Sequence, residues 1–168
     1  MSRRRTEQPL TPPPPLLPPL PRYLVPLKLY LGSAPSKALL AKYGLEAEYL
    51  GLSEAVQSGN LRAFDAAMEQ QQDRLIQLGT YLLCEKLRPL VYRNLVKKMH
   101  LVKDKATRLS LAEVADALKW LGCPKDLDEV ECVLANLIYT GRIKGYLSHQ
   151  KRMLVVSGKN AFPSLRAA

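Results

Sequence analysis

Two helix-start signatures stand sixteen residues apart in the second half of the chain, and they constrain its fold more than any other feature. Ser110-Leu111-Ala112-Glu113 and Asp126-Leu127-Asp128-Glu129 each pair a capping side chain with a glutamate three residues on. In that arrangement the cap accepts from a first-turn amide and the glutamate reaches back to the cap's own amide. The first signature opens an amphipathic stretch through Leu121, closed by Gly122 and Pro124. The second carries Leu127, Val130, Val133, Leu134, Leu137 and Ile138 on one helical face and reaches its stop at Gly141. Residues 143–147 and 153–156 are then β-rich, joined by the polar loop Ser148-His149-Gln150-Lys151-Arg152. Leu109 adds a candidate short strand before the first capped helix. A longer helical pattern precedes them over 85–102, with Leu87, Leu90, Val91, Leu95 and Met99 apolar. Pro89 is tolerated only in a first turn, so this helix is expected to begin near Arg88. Long helix, two capped helices and a hairpin is the order of a winged helix, with residues 148–152 as the wing.

The first half reads differently. Residues 1–22 hold eight of the thirteen prolines, and a proline-dense segment of this kind is expected to be a polyproline-II or disordered tail. Arg22 does not fall at the offset from P-x-x-P that an SH3 ligand needs. Tyr23 begins a short apolar run interrupted by Pro26. Ser36 is placed to cap a short helix ending at Gly44, and a further helix is expected from near Ser53. Gly59-Asn60 breaks that helix. Leu61, Phe64, Ala67 and Met68, then Leu75, Leu78, Leu82 and Leu83, continue the apolar stripes. Short helices joined by tight turns are the unit of an α-solenoid. The expected architecture is mainly α, with a proline-rich tail over 1–22, a helical-repeat segment over 23–87 and a winged-helix subdomain over 88–168.

Charge is unevenly spread. The chain has a formal net charge of +10, yet from Cys132 to the end of its 168 residues there is no acid, against Arg142, Lys144, Lys151, Arg152, Lys159 and Arg166. A second basic cluster runs from Lys86 to Arg108 around the single acid Asp104. Segregation of this kind favours an anionic partner, with a plainly solvated basic face as the bland alternative. Each lysine or arginine that neutralises a phosphate releases counterions, so several in one groove give salt-sensitive nucleic-acid binding. Arg93, Lys97 and Lys98, spaced i, i+4, i+5, are read as sharing one side of the long helix, and Lys151 and Arg152 lie on the wing. Arg142 and Lys144 complete the candidate set. The third helix opens with Asp126, Asp128, Glu129 and Glu131, which would repel phosphates at a major-groove reading end. The expected contact is therefore to RNA or DNA backbone, without a base code. This also disfavours a stand-alone transcription regulator.

Other chemistry finds little support. His100 and His149 have no acid or cysteine at motif spacing, Cys123 and Cys132 form no C-x-x-C, and no P-loop is present. The expectation is a non-enzyme without cofactor or metal, with three buried or half-buried structural cysteines in an intracellular setting and no signal peptide or membrane span. Tyr139 and Tyr146 flank the start of the hairpin and are expected to pack in the core or at its edge, with stacking on bases as the alternative, and Trp120 is expected to be a core anchor.

Three stretches carry a resemblance: 92–98, 128–139 and 141–150. Val155-Val156-Ser157 and Asn160-Ala161-Phe162-Pro163 extend it. Together they resemble the C-terminal part of the PCI domain-containing protein 2 family, one branch of the PCI domain scaffolds of proteasome lid, signalosome and initiation factor. The similarity runs over roughly 23–165. Members of this branch carry a longer N-terminal array of helical repeats where this chain has prolines, and Pro89 departs from their long helix. The resemblance implies a subunit of the nuclear messenger-RNA export complex at the pore, with some cytoplasmic presence allowed. It further implies pairing with a large export scaffold subunit and a small acidic subunit, and a nucleic-acid surface built from neighbouring winged helices. A proteasome-lid or signalosome-type assembly subunit without nucleic-acid binding is the alternative.

Overall fold

The computed structural model describes residues 20–165. Residues 1–19 of the tail expected over 1–22, with Arg3 to Arg5, and Arg166 lie outside the described residues. Among those described there are nine helices and one three-stranded antiparallel sheet. The repeat segment comprises α1 (Leu20–Tyr30), α2 (Lys37–Lys42), α3 (Glu46–Ser58), α4 (Leu61–Gln70), α5 (Gln72–Gln77) and α6 (Tyr81–Glu85). The winged helix comprises α7 (Arg88–Val102), β1 (Arg108–Ser110), α8 (Leu111–Trp120), α9 (Leu127–Tyr139), β2 (Gly145–Ser148) and β3 (Met153–Val156). No helix among the described residues is long and apolar enough to cross a membrane.

The capping signatures act as their residue types dictate. Ser110 and Asp126 both cap their helices, and Glu113 and Glu129 reach back to the cap amides. The sheet order is β1-β3-β2, so the strand seeded by Leu109 pairs with the second arm of the hairpin, Leu109 opposite Leu154. Leu109, Leu111, Val114, Leu118, Val130, Leu134, Leu137, Ile143 and Leu154 fill the space between α8, α9 and the sheet. Gly145 is fixed by close approach, since a Cβ there would stand 2.2 Å from the Val155 carbonyl oxygen.

Two expectations of the repeat segment need correction. The first concerns Leu20–Arg22, which are helical, and the run over 23–31, which is not broken at Pro26. Pro21 sits in the first turn, where its missing N–H is one of the helix's orphans in any case. Pro26 leaves the Arg22 carbonyl without its i+4 donor, and the Tyr49 hydroxyl supplies one at 3.0 Å. Thr80 Oγ1 lies 3.0 Å from the same hydroxyl, and the Tyr23 hydroxyl donates to the Leu78 carbonyl, so α1 is tied to α3 and to the α5–α6 junction. The second correction moves the start of α3 from Ser53 to Glu46. The apolar positions Leu45 and Tyr49, upstream of Gly51, already share the helical spacing of Leu52 and Val56 beyond it.

α3 packs against both α4 and α7, and its C-terminal turn carries the second sterically fixed glycine. Gly59 has φ +66°, and a Cβ there would lie 2.5 Å from the Leu95 backbone nitrogen of α7. The repeat segment therefore meets the long helix of the winged helix backbone to backbone.

Candidate nucleic-acid interface

Burial divides the seven basic residues expected to meet nucleic acid. Arg93 is only 5% exposed. Its Nε donates to the Arg142 carbonyl at 3.0 Å, Nη2 to the Pro163 carbonyl at 2.7 Å and Nη1 to Asn94 Oδ1 at 3.1 Å. Asn94 Nδ2 in turn donates to the Val56 carbonyl at 2.7 Å. One hydrogen-bonded chain thus links α3, α7, the exit of α9 and the C-terminal segment. Burial lowers the Arg93 pKa, and the adjacent Arg142 lowers it further. Arg142 is 8% exposed and lies over the Tyr30 ring, 4.6 Å from its centroid. Both arginines are withdrawn from solvent and join subdomains; neither is available to a phosphate. Sharing a helix with Lys97 and Lys98 does not make Arg93 part of their face.

Arg152 is corrected for a different reason. It lies on the wing with φ +48°, and its Nη1 donates to Asp128 at 2.6 Å and to Glu131 at 2.9 Å. The hydrogen bond to Asp128, with the charges of both carboxylates, raises the Arg152 pKa. His149 Nδ1 sits 2.9 and 3.0 Å from the two oxygens of Glu131. The wing is therefore fastened to the first half of α9. Each of the four acids at that helix start is engaged within the fold, Asp126 and Glu129 in capping it and Asp128 and Glu131 in holding the wing. The open groove between α9 and the wing, about 710 Å³, is lined by Asp128 and Glu131 together with their partners Arg152 and His149, so it presents no unpaired cation to a phosphate backbone.

Four candidates keep their charge in water. Lys97, Lys98, Lys144 and Lys151 are exposed, and among the described residues none has a carboxylate within ion-pair distance. Lys97 and Lys98 stand on α7, Lys144 at the entry to β2 and Lys151 on the wing turn. By contrast Lys103 pairs with Glu113 and Lys125 with Glu129.

The aromatic expectations also fail. Trp120 is 85% exposed, Tyr139 90% and Tyr146 62%. The reason lies in the spacing. α8 buries Leu111, Val114, Leu118 and Leu121, and Trp120 falls two residues after Leu118, on the opposite side. Tyr139 stands in the same relation to Leu137. Trp120 lines a groove of about 370 Å³ with Gly59, Asn60, Leu95 and Lys98. Sequence reading missed this groove because it joins the α3–α4 turn to the ends of α7 and α8.

The cysteines are free. Cys84 is buried, and burial pushes its thiol up to about 12, so it is a neutral packing group at physiological pH. Cys123 is partly buried and donates to Asp65 Oδ2 at 3.6 Å, whereas Cys132 is exposed, contrary to the expectation of three buried or half-buried thiols. No group of three or more His, Cys, Asp or Glu among the described residues could hold a metal ion.

Residues 47–158 match the model of the PCI domain. The chain is 47% identical over 144 residues to a PCI domain-containing protein 2 homolog of Drosophila melanogaster, covering 85% of this chain and 36% of that protein. It is 44% identical over 144 residues to PCI domain-containing protein 2 of Xenopus laevis, with coverage of 85% and 36%. It is 36% identical over 156 residues to a protein CSN12 homolog of Gibberella zeae, with coverage of 84% and 34%. The chain thus spans about a third of the length of these relatives. The family-model match, the two homologues and the repeat-to-winged-helix architecture agree, and the chain belongs to the PCI domain family.

Proposed function

We propose that this chain is a non-catalytic scaffold subunit of a nuclear, transcription-coupled messenger-RNA export assembly, and that it contacts nucleic-acid backbone through Lys97, Lys98, Lys144 and Lys151. One observation carries the nucleic-acid part: these four lysines are exposed and unpaired, while the acids of α9 are engaged within the fold. Unneutralised surface lysines release counterions when they meet phosphates, which drives binding that weakens steeply with salt. The export role, the nuclear location and the pairing with a large scaffold subunit and a small acidic subunit rest on the resemblance of 92–98, 128–139 and 141–150 to one branch of the family. The similarity to PCI domain-containing protein 2 homologues supports that reading.

A mobility-shift titration across salt tests the nucleic-acid claim. The expected slope of log affinity against log salt is about −3 to −4, from roughly −0.7 to −0.9 per phosphate contacted. Reversing Lys97, Lys98, Lys144 and Lys151 to Glu is expected to abolish the shift while the circular dichroism spectrum is retained. Absent or salt-independent binding would remove the claim. The second reading, a signalosome-type interaction subunit without nucleic acid, is favoured by the similarity to the CSN12 homolog and would then stand. Co-purification with the export scaffold subunit tests the partner reading. A nuclear-rim signal from a fluorescent fusion tests the location, and an exclusively cytoplasmic signal would refute it.

A further inference from the structure

Trp120 is the only tryptophan of the chain, and it points into water from the last turn of α8. A tryptophan exposed to this degree leaves one of the largest apolar side-chain surfaces unburied, with a flat π face open to a partner. Its groove carries one cation in its lining, Lys98, and the exposed Lys97 and Lys119 stand next in sequence to Lys98 and Trp120 outside that lining. The stem of Arg62 reaches to 3.9 Å from where a Cβ on Gly122 would stand, so a further cation approaches the end of α8. No lining residue is acidic, and Asp116, one turn before Trp120, is outside the lining. Meanwhile the groove between α9 and the wing holds its charges in internal pairs, Asp128 and Glu131 with Arg152 and His149, and offers no free cation to a duplex.

We propose that Trp120 is a stacking platform for the unpaired bases of a single-stranded nucleic acid, with Lys97, Lys98 and Lys119 meeting the flanking phosphates. This rests on the nucleic-acid reading above and names its substrate class. A flat aromatic bordered by cations suits a base with its attached phosphate. Every base offers a π face, so the contact tolerates any sequence, in keeping with the absence of a base code. A bare acidic peptide would satisfy the lysines and leave the indole face uncovered.

The test uses the full chain and tryptophan fluorescence excited beyond the absorption of its tyrosines, which reports on Trp120 alone. Probes are oligo(U) RNA and oligo(dT) of roughly 12 nucleotides, within the span of a single-strand groove, with an abasic oligomer of equal charge and a duplex of equal length. Both base-bearing single strands are expected to quench the fluorescence, and the abasic strand is not. Trp120→Ala is expected to weaken oligo(U) and oligo(dT) binding by about 5- to 150-fold while leaving the abasic affinity unchanged, and Trp120→Phe retains most of the affinity. Lys97→Glu with Lys98→Glu weakens all four probes. If the lysine variant loses binding but Trp120→Ala binds single strands like the parent, the platform is refuted and the nucleic-acid reading survives. Tighter binding of duplex than of single strand, without quenching, likewise refutes the platform alone. If no probe binds, both readings fall.

Discussion

Replacing Arg93 with Met separates a structural strut from a phosphate contact. The substitution keeps most of the aliphatic stem and removes three donors, leaving the Arg142 carbonyl, the Pro163 carbonyl and Asn94 Oδ1 without their partners. Hydrogen bonds from a charged donor are worth about 1.5–3 kcal/mol each, so the gross loss is roughly 5–9 kcal/mol. Against that, the variant no longer buries a guanidinium whose acceptors are all uncharged and which faces a second arginine, a desolvation penalty of several kcal/mol. A net destabilisation of about 3–4 kcal/mol remains, which at about 2–4 °C per kcal/mol lowers Tm by roughly 6–16 °C. Urea unfolding followed by far-ultraviolet circular dichroism measures it; Trp120 fluorescence would not, because the indole is already in water. Below the shifted transition the variant is expected to bind nucleic acid with the parent's salt slope. A destabilisation under about 1 kcal/mol would refute the strut, and a shallower salt slope in a folded variant would restore Arg93 to the binding surface.

Three further outcomes follow from the same geometry. Glu131→Gln with Asp128→Asn frees Arg152 for a phosphate, so the salt slope is expected to steepen by about 0.7–0.9 in mobility shift, with stability changed by no more than about 1 kcal/mol. Tyr49→Phe leaves the Arg22 carbonyl beneath Pro26 without a donor and is expected to cost about 1–3 kcal/mol in urea unfolding. Burial raises Cys84 from 9.0 to about 12 and Tyr49 from 10.0 to about 12. The unfolded chain therefore releases these protons first, and stability falls as pH rises from about 9 to 12, by up to roughly 1.4 kcal/mol per unit for each group. Cys84→Ala is expected to flatten the lower part of that fall, from pH 9 upward, in pH-dependent urea titrations.

The winged helix was legible because its determinants are local. Ser110 with Glu113, Asp126 with Glu129, and the turn residues Gly122 and Gly141 act within a few residues of themselves. The helix through Pro26 was not legible, because its missing donor comes from Tyr49, 27 residues beyond Arg22. The same holds for the binding surface. Charge pattern marked Arg93, Arg142 and Arg152 as equals of the four lysines, but what withdraws Arg93 and Arg152 are carbonyls and carboxylates 21 to 70 residues away, and Arg142 lies over the distant Tyr30 ring. Trp120 is the opposite case: its exposure could be read from the 111-114-118-121 stripe of α8, and the general preference of tryptophan for burial obscured it.

The bond from Arg93 to Pro163 spans 70 residues, which gives the fold an order in time. During synthesis α7 leaves the ribosome long before the carbonyl that its arginine needs, and that guanidinium must stay hydrated until the C-terminal segment arrives. The contacts of the repeat segment with α7, Gly59 on Leu95 and Asn94 on the Val56 carbonyl, need only residues already made, so the bond to Pro163 is the one that waits for the C-terminal segment. Pro163 thus supplies the acceptor most distant in sequence among those that satisfy the buried Arg93 guanidinium.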